Sequence, residues 1–337
     1  NEFKKITPKL RELKIAFAIT SRNYLAQTKI AIESFLLFNS EFEVFVFNID
    51  NKKYETATIW ANHKINHHFI EDITFEHKKE LRSRYNDFEF CNSIKPFLCH
   101  WLFEQFEKAK TILYIDSDLI FYNKIELEGE LVDYSIIITP HSLSGFPIDN
   151  RSTSELDILN SGIFNAGFFI VSNSDNGMKF LDWWKIRTLT YCYVDFEKGM
   201  FVDQIWLNLV PLYFDGVLVL RNLGYNVAHW NLHERILSKQ DKWYVNDKFK
   251  LVFFHFSGFA FDDFTKISKH QDRFTLDSRN DLSEIFMAYK NNVEKAAENI
   301  DMLLGKTSKS KLWLKKRALK IQKWKGKFNK VMKILSN

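Results

Sequence analysis

The chain has 337 residues, of which 46% are hydrophobic and 26% charged, a composition that excludes a disordered segment, a fibrous repeat and a disulfide-built miniprotein. Twelve of its 47 Lys and Arg lie between Lys306 and Lys333, which leaves 35 basic against 42 acidic groups elsewhere, a net of −7. The body is acidic although the whole carries +5, so no nucleic-acid partner is expected, since that needs a basic face on the folded domain.

Short β-branched and aromatic runs alternate with helix-period segments, the pattern of β-α-β units, and 33 Phe imply a thick core. In chain order, 13–20 reads as a buried strand, 25–38 as a helix, 43–49 as a second strand and 67–70 as a short third. Residues 92–106 read as a helix with Pro96 in its first turn. Residues 111–115 form an apolar strand ending at Asp116-Ser117-Asp118, and 135–139, 167–172, 217–220 and 251–256 are further strands. The polar stretch 142–160 is expected to be a mobile loop, 280–304 a helix or two closing the globule, and 306–310 a linker. Cys91, Cys99 and Cys192 have neither disulfide nor zinc spacing and read as buried, reduced thiols of a cytosolic protein. No apolar run reaches the ~18 residues of a membrane span, and no signal-peptide pattern opens the chain.

Open α/β sheets bind ligands outside the carboxyl ends of their strands, so the residues just after strands carry the information. Asp116 and Asp118 abut the apolar run Ile112-Leu113-Tyr114-Ile115. Two carboxylates there are costly to desolvate unless something cationic compensates. A divalent metal holding a nucleotide diphosphate does so; a solvated β-turn is the plainer reading. His255 reads either as a core histidine or, with Ser257-Gly258 after it, as a ligand at a strand end where a phosphate approaches backbone. Asn23 and Tyr24 suit base recognition or a helix cap. Lys95 faces either a donor or solvent. His229 and His233 have the i, i+4 spacing of a helical metal pair, while Trp230 between them suits an acceptor lining or plain packing. His63, His67 and His68 read as surface residues.

Tyr114-Ile115-Asp116-Ser117-Asp118, preceded by a helix with Lys95-Pro96, resembles the core of nucleotide-sugar-dependent glycosyltransferases of the GT-A fold. Four further matches in the same order are Ser21-Arg22-Asn23-Tyr24, Asn165-Ala166-Gly167, Asp203-Gln204 with Asn208, and His255-x-x-Gly258. Together, over residues 13–260, they are similar to glycosyltransferase family 8 and its bacterial relatives. The resemblance implies an α/β, GT-A (Rossmann-like nucleotide-diphospho-sugar transferase) fold with a C-terminal helical extension: a catalytic domain over 12–262, a helical segment over 263–304 and a basic tail over 305–337. It implies a hexosyltransferase of bacterial surface polysaccharide synthesis that uses a nucleotide-sugar donor, a UDP-sugar, and a glycan or lipid-linked acceptor, with retention of configuration.

By the same resemblance Asp116, Asp118 and His255 hold Mn²⁺ or Mg²⁺. Thr20, Asn23, Tyr24, Lys95, Asp116, Ser117, Asn165, Ala166, Gly167 and Gly258 meet the donor, and Gln204, Asp203 and Asn165 stand near the reacting carbon; for the last three, capping and core amides are the plainer reading. The chemistry needs such groups, because breaking the sugar–phosphate bond builds negative charge on the departing diphosphate. The chain departs from the family by carrying Ser21-Arg22 for Asp-Asp and Ile205 for a second Asp. An inverting relative with Asp203 or a carboxylate of the 142–160 stretch, such as Asp149, as base, a sugar nucleotidyltransferase and a glycan-binding scaffold stay open as alternatives. A nucleotidyltransferase needs a Gly-rich basic loop after its first strand, where this chain has Ser21-Arg22-Asn23-Tyr24.

In the tail, Leu314, Ala318, Ile321, Trp324, Phe328, Val331, Met332 and Leu335 recur mostly three and four apart, with most lysines on the other face. Such a helix suits an anionic membrane surface, the inner face of the cell membrane for a cytoplasmic protein; docking to a partner protein is the alternative.

Overall fold

A computed structural model describes residues 13–50, 59–60 and 63–303. The linker at 306–310 and the expected amphipathic tail helix lie outside the described residues. In chain order the strands are β1 (Leu13–Thr20), β2 (Phe42–Asn48), β3 (Ile65–Phe69), β4 (Ala109–Ile115), β5 (Leu119–Phe121), β6 (Ile136–Pro140), β7 (Phe164–Ser172), β8 (Val194–Asp195), β9 (Met200–Phe201), β10 (Val217–Val219), β11 (Val227–Ala228), β12 (Leu237–Lys239), β13 (Trp243–Val245), β14 (Phe249–Lys250) and β15 (Phe253–His255). The helices are α1 (Leu25–Phe38), α2 (Lys78–Arg84), α3 (Asp87–Ser93), α4 (Lys95–Gln105), α5 (Glu130–Asp133), α6 (Glu155–Ser161), α7 (Asp175–Thr190), α8 (Val210–Tyr213) and α9 (Ser283–Leu303).

Seven strands make the main sheet, in the order β10-β6-β7-β4-β1-β2-β3. All run parallel except β7, which is antiparallel to both of its neighbours. From β1 the chain moves outward to β2 and β3, then returns to place β4 on the other side of β1. The topological switch point, where open α/β sheets leave a crevice, therefore lies between the carboxyl ends of β1 and β4.

Both faces of this sheet are covered, so its strands are apolar nearly throughout, which makes them easy to find in the sequence. Along β1, Ala16 and Ala18 pack in the layer that holds Ile32 and Phe35 of α1 and Phe286 of α9. Ile15, Phe17 and Ile19 pack oppositely, with Phe97 of α4 and Trp184 of α7. Phe17, Phe45, Phe168 and Phe169 are almost wholly buried, each contributing ~2 kcal/mol over an exposed position. On α9, Ile285, Phe286, Tyr289, Val293, Ala296 and Ile300 form the buried stripe at helical spacing. Its Phe286 and Tyr289 rings meet Phe256, Tyr289 lying parallel at 3.9 Å.

Three expectations change and one helix is added. The helix expected over 92–106 is two: α3, opened by an Asn86–Glu89 capping box, and α4, with Pro96 in its first turn. One continuous helix is impossible because the Pro96 ring would clash with the carbonyl four residues back. The stretch 142–160 is not a plain loop, since a Ser154–Asp157 capping box starts α6 inside it. The rest is fastened by Arg273, which donates to Asp149 at 2.8 and 2.9 Å, and by Ser152 N, which donates to Asp272 at 2.9 Å. Helix α7 is an addition, with Phe180, Leu181, Trp184 and Thr188 on its buried face. His67 and His68 are half-buried in β3 rather than on the surface, stacked on Trp60 and on Phe45 and Phe47. Burial pushes His67 down to about 4.

Cys99 and Cys192 are buried and Cys91 half-buried, all as free thiols, and loss of solvent pushes Cys91 up to about 12. Among the described residues no helix is long and apolar enough to cross a membrane.

Candidate metal and donor site

Strand β4 ends at Ile115, and the next residue, Asp116, donates its N–H to Gly167 O of β7 at 2.9 Å. Leu119 N closes the turn onto Asp116 O at 3.4 Å, a turn that Asp-Ser-Asp accommodates readily. The chain thereby reverses into β5, which pairs antiparallel with β15 so that His255 lies opposite Leu119. Phe256 N donates to Asp118 O at 2.9 Å, and the imidazole comes to rest between the two carboxylates. His255 Nε2 is 3.0 Å from Asp118 Oδ1 and 4.0 Å from Asp116 Oδ2. Among the described residues this is the one group of three or more His, Cys, Asp or Glu whose ligating atoms converge, within 4.8 Å of one another.

Burial lowers the His255 pKa, but the charges of Asp118 and Asp116 outweigh it and hold the imidazole above its ordinary value. The arrangement thus favours a positive charge at this point. Two carboxylate oxygens and an imidazole nitrogen are a donor set that suits Mn²⁺ or Mg²⁺. Gly167 makes room for it: a Cβ there would stand 2.6 Å from Asp116 Oδ2, 2.7 Å from His255 Cε1 and 2.9 Å from Asn165 Oδ1. Nearby, His255 Nδ1, His141 Nδ1 and Trp230 Nε1 are buried without hydrogen-bond partners among the described residues, where native interiors leave few such atoms unpaired.

Lys95 does not face solvent. It is buried beneath the cluster, 3.0 Å from Asp203, with its ammonium donating to Ala166 O at 3.2 Å and lying 4.6 Å from the Tyr114 ring centre. Burial lifts the Asp203 carboxyl to about 6 against the pull of Lys95, while Asp203 and Asp116 hold Lys95 raised against its own burial. Each member thus offsets part of the other's loss of solvent. Asn165 and Gln204 form an amide lattice above the pair: Gln204 Oε1 accepts from Asn165 Nδ2 and from Ala166 N, each at 3.2 Å, and Gln204 Nε2 donates to Ser161 O at 2.9 Å. Asn165 Oδ1 in turn accepts from Gly167 N at 3.1 Å, and Asn208 accepts from Ile163 N at 2.8 Å.

Across the crevice Asn23 and Tyr24 are exposed in the turn between β1 and α1, and neither caps it through a side chain. Burial, then Asp118 and Asp116, raise the Tyr24 pKa, so its hydroxyl lies in the field of the carboxylates. The Thr20 hydroxyl is buried and taken by Thr28 at 2.8 Å. Ser117 is half-buried within the turn. Gly258 has φ +67°, and a Cβ there would collide with His270 and Ser268. Its Cα side is thus covered by that loop, whose Lys269 N donates to Gly258 O at 2.9 Å.

His229 and His233 do not form a pair. His229 opens a three-residue 3-10 turn and faces Thr153 and His270, while His233 lies beyond it and packs on Phe146. Trp230 is buried between His141 and His255 rather than presented to a sugar. The sequence reading passed over three contributors. The Tyr114 hydroxyl bonds Asp116 Oδ1 at 2.6 Å, His141 meets Asn165 at 3.5 Å, and Tyr289 of α9 braces Phe256 beside His255. The signal in the sequence was a hydroxyl-bearing ring within the apolar run Ile112–Ile115, two positions before Asp116.

No protein-family profile matches the chain. It is 23% identical over 289 residues to the uncharacterized protein YfnF of Bacillus subtilis, covering 85% of this chain and 93% of that one. It is 26% identical over 253 residues to the uncharacterized YfnD of the same organism, covering 72% and 76%. Its structure is similar to that of the glycosyltransferase GlyE of Streptococcus pneumoniae, with 16% identity and a TM-score of 0.46, covering 86% of this chain and 62% of that one. It is also similar to the galactosyltransferase LgtC, with 13% identity and a TM-score of 0.45, covering 83% and 95%. The chain therefore spans less than two thirds of the length of GlyE. The architecture is a mixed α/β fold: a mostly parallel sheet, an Asp-x-Asp turn at the switch point and a long C-terminal helix.

Proposed function

We propose that the protein is a metal-dependent glycosyltransferase that moves a hexose from a nucleotide-sugar, a UDP-sugar, to a glycan or lipid-linked acceptor of bacterial surface polysaccharide, with retention of configuration. The observation that carries this reading is the convergence of Asp116, Asp118 and His255 around Gly167 at the switch point of the sheet. Asp116, Asp118 and His255 would hold Mn²⁺ or Mg²⁺, which when bound offsets the charge growing on a departing diphosphate. Asn23 and Tyr24 meet the base, with Thr20, Ser117, Ala166 and Gly258 shaping the donor crevice. The amide lattice of Asn165 and Gln204 walls the sugar. Asp203 and Lys95 fix opposite charges directly beneath it.

The state of two candidate bases, Asp203 and Asp149, favours retention over inversion. An inverting enzyme needs a base facing the acceptor. Asp203 is fully buried and paired with Lys95, and Asp149 is clasped by Arg273, whose hydrogen bonds hold it at about 2, too acidic to serve. The tail, with twelve Lys and Arg between 306 and 333, is proposed to hold the enzyme at the inner face of the membrane, each basic group adding up to about 1 kcal/mol at an anionic surface.

Calorimetric titration with UDP-, GDP- and CDP-hexoses, with and without Mn²⁺, tests the donor reading. A UDP-sugar is expected to bind in a Mn²⁺-dependent way and to be slowly hydrolysed; binding indifferent to metal for every nucleotide would overturn it. Sedimentation with anionic liposomes, for the full chain and for one ended at Gly305, tests the membrane reading. Only the full chain is expected to pellet, and to be released as salt rises.

A further inference from the structure

The metal reading leaves open how a single Asp116 oxygen is presented to a cation. We infer that Tyr114 is a positioning residue that sets this: its hydroxyl occupies Asp116 Oδ1 and leaves Oδ2 as the one oxygen that residue offers. The inference rests on the proposed metal site.

Tyr114 and Asp116 are two apart at the end of β4 and so point to the same face of the sheet. Tyr114 is 2% exposed. Its ring stacks on Phe169 at 5.3 Å, meets Phe17 at 5.0 Å, and carries the Lys95 ammonium 4.6 Å from its centre. A ring held from three sides cannot swing, so its hydroxyl has a fixed address. That hydroxyl donates to Asp116 Oδ1 at 2.6 Å, within the short range of hydrogen bonds to an ionised acceptor. Oδ2, by contrast, is 4.0 Å from His255 Nε2 and faces the Cα of Gly167.

The terminal torsion of an aspartate is broad and roughly two-fold. Without the hydroxyl, Asp116 can rotate and exchange its oxygens, and the three-atom donor set loses its preset geometry. Apolar packing alone does not call for a tyrosine here. Phe recurs in the core of this sheet, at Phe17, Phe45, Phe47, Phe168 and Phe169, and fills the same ring volume, so the added polar atom of Tyr114 is accounted for by the bond it makes. Hydrogen-bond partners of metal ligands act in this way, fixing the orientation in which a ligand meets its ion.

The test uses Tyr114→Phe in the full chain, with Mn²⁺ alone as probe and the fall of the free Mn²⁺ electron paramagnetic resonance signal as readout. The melting temperature of the metal-free protein is measured in parallel. The expected result is Mn²⁺ affinity lowered by about 10- to 100-fold with an unchanged metal-free melting temperature. Equal Mn²⁺ affinity in variant and wild type overturns the inference, as does an affinity loss matched by a lowered metal-free melting temperature, which marks a packing role. A wild-type chain that takes up no Mn²⁺ overturns the metal site itself, and that outcome is read from the wild type before any variant is compared.

Discussion

Position 167 tolerates no side chain without movement of Asp116 or His255. Gly167→Ala is expected to weaken Mn²⁺ binding at least tenfold and to cost about 1–3 kcal/mol of stability, as overpacking does. Titration with Mn²⁺ and urea unfolding check the two effects separately. Asp118→Asn removes the charge that His255 faces at 3.0 Å but keeps an oxygen there. Mn²⁺-dependent nucleotide binding should vanish while the melting temperature changes little; wild-type binding in this variant would remove Asp118 from the metal site. Asp116 and Asp118 were legible because carboxylates directly after an apolar strand are conspicuous, whereas His255 joined them only through the family resemblance. The depth of Lys95 was not, since a lysine in a helix reads as solvated until its partner, 108 positions away at Asp203, is seen beside it.

At the scale of elements, the Lys95–Asp203 pair binds the start of α4 to the turn that follows β9. Breaking a buried pair from one side strands a charge, at a cost of about 3–5 kcal/mol, whereas replacing both partners by apolar residues is often neutral. Lys95→Met is expected to lower the urea midpoint accordingly, and Lys95→Met with Asp203→Leu to recover most of it. A double variant as unstable as the single one would show that the bond from Lys95 to Ala166 O matters more than the pair. Strand β1 and helix α1 were read with their observed bounds because their apolar runs end at sharp polar breaks. The 142–160 segment was misread because what fastens it, Arg273 and Asp272, lies more than a hundred residues later. No local pattern reports such a link.

For the molecule as a whole, histidine burial sets an acid limit. Burial, and then a neighbouring histidine, push His141 down to about 3 and His67 to about 4, and hold His229 well below its ordinary value. Each is neutral in the fold but takes up a proton in the unfolded chain once the pH drops below about 6.5. Their contribution is complete above that pH and is lost as the pH falls toward 4, by about 1.4 kcal/mol per pH unit for each proton. His255, whose folded value is raised, has the opposite sign, and its contribution is lost as the pH rises through that value. Urea unfolding of the metal-free protein is expected to show stability falling from pH 6.5 to 4.5, with a shallower slope in His67→Asn. A flat profile over that interval would mean that these rings are protonated in the native state.

The three thiols are distributed unevenly. Cys91, Cys99 and Cys192 all belong to the layer of α3, α4 and α7, and none lies on the side of α1 and α9. The unmodified chain therefore carries its own chemical clock for one half of its interior. Under mild urea, the labelling rate of Cys99 and Cys192 by a maleimide reports how often that layer opens. A cysteine introduced on the buried face of α9, as in Ala296→Cys, would report the other layer. Equal rates would identify a single cooperative unit, and faster labelling of Cys99 and Cys192 would show that the side bearing Lys95 yields first.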